Sequence, residues 1–180
     1  MNEINKDTWK TEGELKQDFI QLFAMGKEET FEDGMESRFS ERLIFMLEYY
    51  GPIALTILED VIFFHENTNV EVAAEALIWL SEADDFLCSR ENRLKILHAA
   101  IFTDSSRIRD AAIIGIAAMD SPDSIEHVVL GILWESIPEL KEDMMQVFVQ
   151  LEKTRIKRWG TGMEKTVALY SEVWRKISNG

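Results

Sequence analysis

Residues 69–81, NVEVAAEALIWLS, recur as SRIRDAAIIGIAAM at 106–119 and more faintly as PELKEDMMQVFVQL at 138–151. Taking Val70, Ile108 and Leu140 as equivalent gives spacings of 38 and 32 residues. An earlier copy, RFSERLIFMLEYY, starts at Arg38, with Phe39 31 residues before Val70. Each copy places apolar residues at the period of an amphipathic helix. Helical units recurring at this length are the signature of an α-solenoid, in which no single helix pair can cover its own apolar face. Such folds mostly bind other macromolecules, and the architecture alone does not name them.

The rest of the chain divides around these copies. Residues 14–25 read as an amphipathic helix through Leu15, Phe19, Leu22 and Phe23, and 26–37 as a polar connection. Helix pairs are then expected at 37–49 with 52–64 and at 70–81 with 90–102. A third pair would run from Ser105 or Ser106 to Met119, then on from the DSPDS segment at 120–124. Gly51-Pro52 suits a break between helices, since glycine accepts the left-handed backbone that ends one and proline tolerates the first position of the next. A further helix is expected at 138–152, then a loop with Gly160 and Gly162, then a last helix near 163–177. The expectation is a single all-α domain over 1–180, an α-solenoid of three to four helix pairs with helical ends. It has an acidic lead-in (1–36), the repeats (37–152) and a basic end (153–180).

Register across the copies predicts the core. In the first helices Leu43, Ala74, Ala112 and Met144 align, as do Leu47, Ile78, Ile116 and Phe148. In the second helices Leu58, Leu97 and Val129 align, then Ile62, Ile101 and Leu133. Small residues at 73–74 and 111–112, with Gly115, allow helices to approach closely. Trp79 and Met119 fall on first-helix apolar faces and are expected to be structural. Trp9, Trp159 and Trp174 would seal the ends of the stack.

Within 107–153, Ile108-Arg109, the alanine pair 111–112, Gly115 and the Asp-Ser-Pro turn at 120–122 precede an apolar second helix. That segment resembles a HEAT repeat followed by the first helix of the next. The likeness covers 37–152 and thins in the first copy, where Arg42 and Leu43 replace the alanine pair. FEDGMESRFSERL (31–43) is also similar to bacterial HEAT-repeat proteins to which no activity attaches. The resemblance implies a scaffold or adaptor and carries over no catalytic residue.

Charge narrows the partner. Of the net −14, residues 1–36 carry four lysines against ten acids. Residues 37–152 carry eight Lys/Arg against 21 acids, and 153–180 carry seven against two. An anionic body repels nucleic-acid phosphates and anionic lipid, so neither is expected as a partner. The basic end can dock on the acidic body, on a second copy or on an acidic partner. No signal core or apolar run of about 20 residues is present, which points to a soluble, cytoplasmic protein. One cysteine, Cys88, excludes an internal disulfide framework.

Catalytic chemistry finds little footing. In the repeat alignment His98 falls opposite Leu130 and His127 opposite Lys95, while His65 ends its helix, so the three imidazoles share no face. No local spacing supports zinc, and neither a metal nor a cofactor is expected. Cys88 has no neighbouring histidine and Arg90 as its nearby cation; a loop or partly buried thiol explains it. Gly160-Thr161-Gly162 follows no strand and reads as a helix break rather than a phosphate loop. Asp84-Asp85 and Glu142-Asp143 read as caps and solvated faces, since adjacent helical side chains point about 100° apart.

One row invites a partner. Phe63, Phe102 and Trp134 fall in register on the second helices beside Thr56, Lys95 and His127. Large residues at helical spacing usually pack in cores, yet aromatics on one solenoid wall also make interface anchors. The expected function is a non-catalytic protein-binding adaptor, with Phe63, Phe102 and Trp134 as anchors and Asp60, Lys95 and His127 as polar neighbours. A narrower alternative is neutralisation of a basic toxin or nucleic-acid-binding protein. An enzyme-class alternative, resting on the repeat-level likeness alone, is a chaperone similar to HEAT-like phycobilin lyases.

Overall fold

The computed structural model describes residues 10–32 and 34–159. Trp9, the Gly160-Thr161-Gly162 break, Trp174 and the helix expected near 163–177 lie outside them. Among the described residues there are eight α-helices and no strand: α1 (Glu12–Gly26), α2 (Arg38–Tyr50), α3 (Pro52–Phe64), α4 (Val70–Trp79), α5 (Arg90–Ala100), α6 (Ser106–Met119), α7 (Ile125–Trp134) and α8 (Pro138–Trp159). A 3-10 turn, Pro122–Ser124, leads into α7.

Local chemistry explains where the helices begin. The hydroxyl of Thr11 accepts from the Glu14 amide while the Glu14 carboxylate accepts from the Thr11 amide, a reciprocal cap. Ser37 and Ser40 repeat the arrangement ahead of α2. Asn69, Ser89 and Ser105 each accept a first-turn amide of α4, α5 and α6. Between α2 and α3, Gly51 takes φ +57°, a backbone that a Cβ disfavours, and Pro52 opens the next helix.

The helices pack in a regular order. α2 lies against α4, α4 against α6 and α6 against α8, while α1 contacts α3 and α3 contacts α5. The α4–α6 contact is the most extensive, and Gly115 is one reason: a Cβ there would sit 2.9 Å from the Leu77 carbonyl oxygen of α4. Leu43, Ala74, Ala112 and Met144 are all fully buried, as are Leu47 and Ile116, with Ile78 and Phe148 packed at the edge. Leu58, Leu97, Val129, Ile62 and Ile101 are buried as their register predicts.

Two expectations are corrected. Leu133 is 50% exposed instead of buried. The inward positions of α7 are Ile125, Val128, Val129 and Ile132, so Leu133 lies a further 100° round the helix. And α8 does not stop at residue 152 but continues to Trp159. Leu151 and Arg155 are buried on it, the Arg155 guanidinium bonds Glu152, and no helix breaker occurs before Gly160. Lys157 and Arg158 therefore sit in the last turn, where cations favour the negative end of the helix dipole. No described helix is long and apolar enough to cross a membrane.

Candidate binding surface on α5 and α7

The second helices α5 and α7 bring together most of the residues the aromatic row proposed. Ser89 starts α5, and the helical period then places Leu94, Lys95, His98 and Ala99 on an open groove whose volume is about 960 Å³. Phe102, just past the helix end, also lines the groove, as do Asp123 and His127. Lys95 is exposed and forms an ion pair with Glu91 at 2.8 Å.

His98 and His127 stack face to face, with ring centroids 3.8 Å apart and planes 9° from parallel. The repeat alignment had set them a turn apart. In the fold, residues one turn out of register in that alignment meet. His98 is buried and its Nε2 lies 2.9 Å from the Ser124 hydroxyl. Burial, then the neighbouring imidazole, push the His98 pKa down to about 4 against a partial opposing pull from Asp123. At neutral pH His98 is an uncharged ring in the groove wall.

Parallel rings aim their nitrogens away from a common point. Among the described residues, no group of three or more His, Cys, Asp or Glu side chains is arranged to hold a metal ion. His65 stands apart from the pair, its Nδ1 3.5 Å from the Thr68 hydroxyl.

Phe102 and Trp134 meet edge to face at 6.2 Å, with 39% and 51% of their surfaces exposed. Trp134 is held in place from below. The Arg109 guanidinium carbon lies 5.4 Å from its ring centroid, a cation–π distance. Arg109 in turn makes a buried two-point pair with Glu135, at 2.7 and 3.0 Å, and donates to the Thr103 and Asp104 carbonyls. Burial alone would raise the Glu135 carboxyl, but hydrogen bonds from Arg109 and the Ile137 and Ser136 amides outweigh it and hold the pKa below its ordinary value.

The other proposed residues lie elsewhere. Phe63 packs against the core, and its neighbour Phe64, at 75%, is the exposed ring. Asp60 pairs with Lys16 of α1. Thr56 bonds back to the Pro52 carbonyl. Leu130 and Leu133, which the aromatic row did not include, are 48% and 50% exposed and extend the apolar surface along α7.

The remaining chemical candidates have structural roles. Cys88 is fully buried, and burial pushes its thiol up to about 11 with Arg93, not Arg90, opposing. Asp84 accepts from the Phe86 and Leu87 amides, and Asp85 pairs with Arg90 and Arg93. Glu142 and Asp143 are exposed on α8. The pairs missed from sequence are the buried arginines Arg93 and Arg109. Their signal was a serine cap followed four residues later by arginine, at 89–93 and at 105–109.

Compared with known proteins, the chain matches no family model, no curated protein and no solved structure.

Proposed function

We propose that this chain is a non-catalytic protein-binding adaptor, folded as a HEAT-like α-solenoid and docking its partner on α5 and α7. The order of helix contacts, each helix lying on the one two places along through most of the chain, supports the solenoid. The observation that carries the function is the Phe102–Trp134 pair: two exposed aromatics, Trp134 fixed by Arg109 and Phe102 lining the groove. Rigid, exposed aromatic anchors lose little entropy on docking and dominate interface energetics. Lys95 and His127 supply the polar rim.

Net charge of −14 favours a partner with a basic surface. The stronger form of this reading is neutralisation, in which the acidic body covers the cationic site of a toxin or nucleic-acid-binding protein. Salt separates the two. Capture of a partner from the organism's own lysate at about 50 and 300 mM salt tests both. A stoichiometric protein retained at the higher salt supports the apolar anchor. One released there supports the electrostatic form, and no protein at either salt contradicts both.

A further inference from the structure

The first helices form one row, α2 against α4 against α6 against α8. Three of them are followed by a second helix, α3, α5 and α7 in turn. Among the described residues α8 has none after it. Its outer side carries exposed apolar residues. Val149 and Ile156, seven residues apart and so on one stripe, are 37% and 43% exposed, and Met145 continues the stripe half-buried. They stand two residues, about 200°, from Val147, which is buried, and Thr154, which bonds Asp120 at the end of α6. Both therefore point away from the preceding pair. On α7, Leu133 bears the same relation to Gly131, where a Cβ would sit 2.6 Å from Ile101 at the end of α5. Leu130 and Leu133, half-exposed and three residues apart, share that outer side, and α7 packs along α8.

The chain leaves α8 at Trp159 with 21 residues still to come. Gly160 and Gly162 suit a reversal of the kind made earlier at Gly51 and Asp120, both at positive φ. Met163, Val167, Tyr170, Trp174 and Ile177 then recur at steps of four, three, four and three, the period of an apolar helix stripe. Residues 163–177 number fifteen, as do 145–159, so a helix turned back along α8 would reach from Ile156 past Val149 to Met145. Charge contributes little to such docking. Residues 160–180 carry Lys165, Arg175 and Lys176 against Glu164 and Glu172, and the other four cations of the basic end stand on α8.

We propose that residues 163–177 dock as a helix, antiparallel to α8, on the apolar face formed by Leu130 and Leu133 of α7 and Met145, Val149 and Ile156 of α8. The segment completes a fourth helix pair and is held by burial of apolar surface. With Leu130 and Leu133 covered, the surface of α7 left to a partner is Trp134 with the groove-lining His127. The segment thus sets one boundary of the docking site. This inference draws on the packing of the helices and not on a partner at Phe102 and Trp134, and it is tested without one.

The test is hydrogen–deuterium exchange of the full chain, read by mass spectrometry. Amides of 163–177 exchange at least about a hundredfold more slowly than in an unstructured peptide, equally at about 50 and 300 mM salt. Leu133→Asp with Ile156→Asp speeds their exchange by about tenfold or more and leaves α4 and α6 protected. If that variant opens α4 and α6 too, Leu133→Ala, a helix former at a half-exposed site, still speeds exchange in 163–177 alone. Phe64→Asp, at an exposed ring on α3, changes nothing there. Exchange of 163–177 at the unstructured rate, protection that survives the α7–α8 substitutions, or protection lost between the two salts would overturn the proposal. So would protection lost on dilution together with a dimer seen by sedimentation, which assigns the face to a second copy.

Discussion

Arg93 and Arg109 occupy the same place in successive helices, four residues after a serine cap, and both turn back onto carbonyls just beyond the preceding helix. A buried guanidinium is tolerable only when its donors are met. Asp85 does this for Arg93 and Glu135 for Arg109. Arg109→Met would leave Glu135 buried without its counter-ion, a loss of about 3–5 kcal/mol in urea unfolding, and would free Trp134 from below. Acid sensitivity follows from two groups. The folded Glu135 sits below its ordinary 4.5, so its stabilisation is complete above that value and is lost as pH falls through the folded pKa. Glu135→Gln should therefore flatten the stability profile below pH 4.5. His98, lowered from 6.5 to about 4, acts at higher pH. The unfolded chain takes up that proton first, so stability declines as pH drops from 6.5 towards 4. His98→Asn should shrink that decline while leaving the more acidic limb, and an NMR titration of His98 should give a midpoint near 4 that rises in His127→Ala.

Within and between helices, the sequence was most legible where one physical rule decided the outcome. The Gly51-Pro52 break located the start of α3 and the serines at 105–106 that of α6, because proline needs no partner for a first-turn amide and a serine hydroxyl supplies one. The buried register of α2, α4 and α6 was equally plain, since each carries the same apolar period although they recur at 31 and 38 residues. Legibility failed where position depends on how helices cross. On α7 the side chains sit off the aligned register: Leu133 is exposed and His127 stacks on His98. A repeat alignment carries no such offset. Gly115 tests the packing between helices. Alanine there gains about 1 kcal/mol of helix propensity, but its Cβ would press on the Leu77 backbone oxygen, which cannot turn aside. Overpacking of about 1–3 kcal/mol wins, so Gly115→Ala should lower stability in chemical denaturation. Ile116→Asp, an unpaired charge in a fully buried site, should cost roughly 4 kcal/mol or more and be seen as loss of the cooperative thermal transition.

Across the whole molecule, the charge and the apolar surface are distributed differently. The body is acidic, yet α2 presents cations beside stacked aromatics, and α8 ends in Lys157 and Arg158. The α5–α7 surface combines an apolar ledge with a stacked histidine pair. In the account proposed here the α5–α7 surface is a docking site, suited to binding a partner rather than transforming it. The adaptor reading stands or falls on the α5–α7 ledge. The most direct measurement is the affinity of the captured partner for the wild-type chain and for Trp134→Ala, with helical content followed by circular dichroism. The account predicts a loss of about thirtyfold or more, as a hot-spot aromatic gives, at unchanged helicity. An unchanged affinity in a folded Trp134→Ala variant would contradict it.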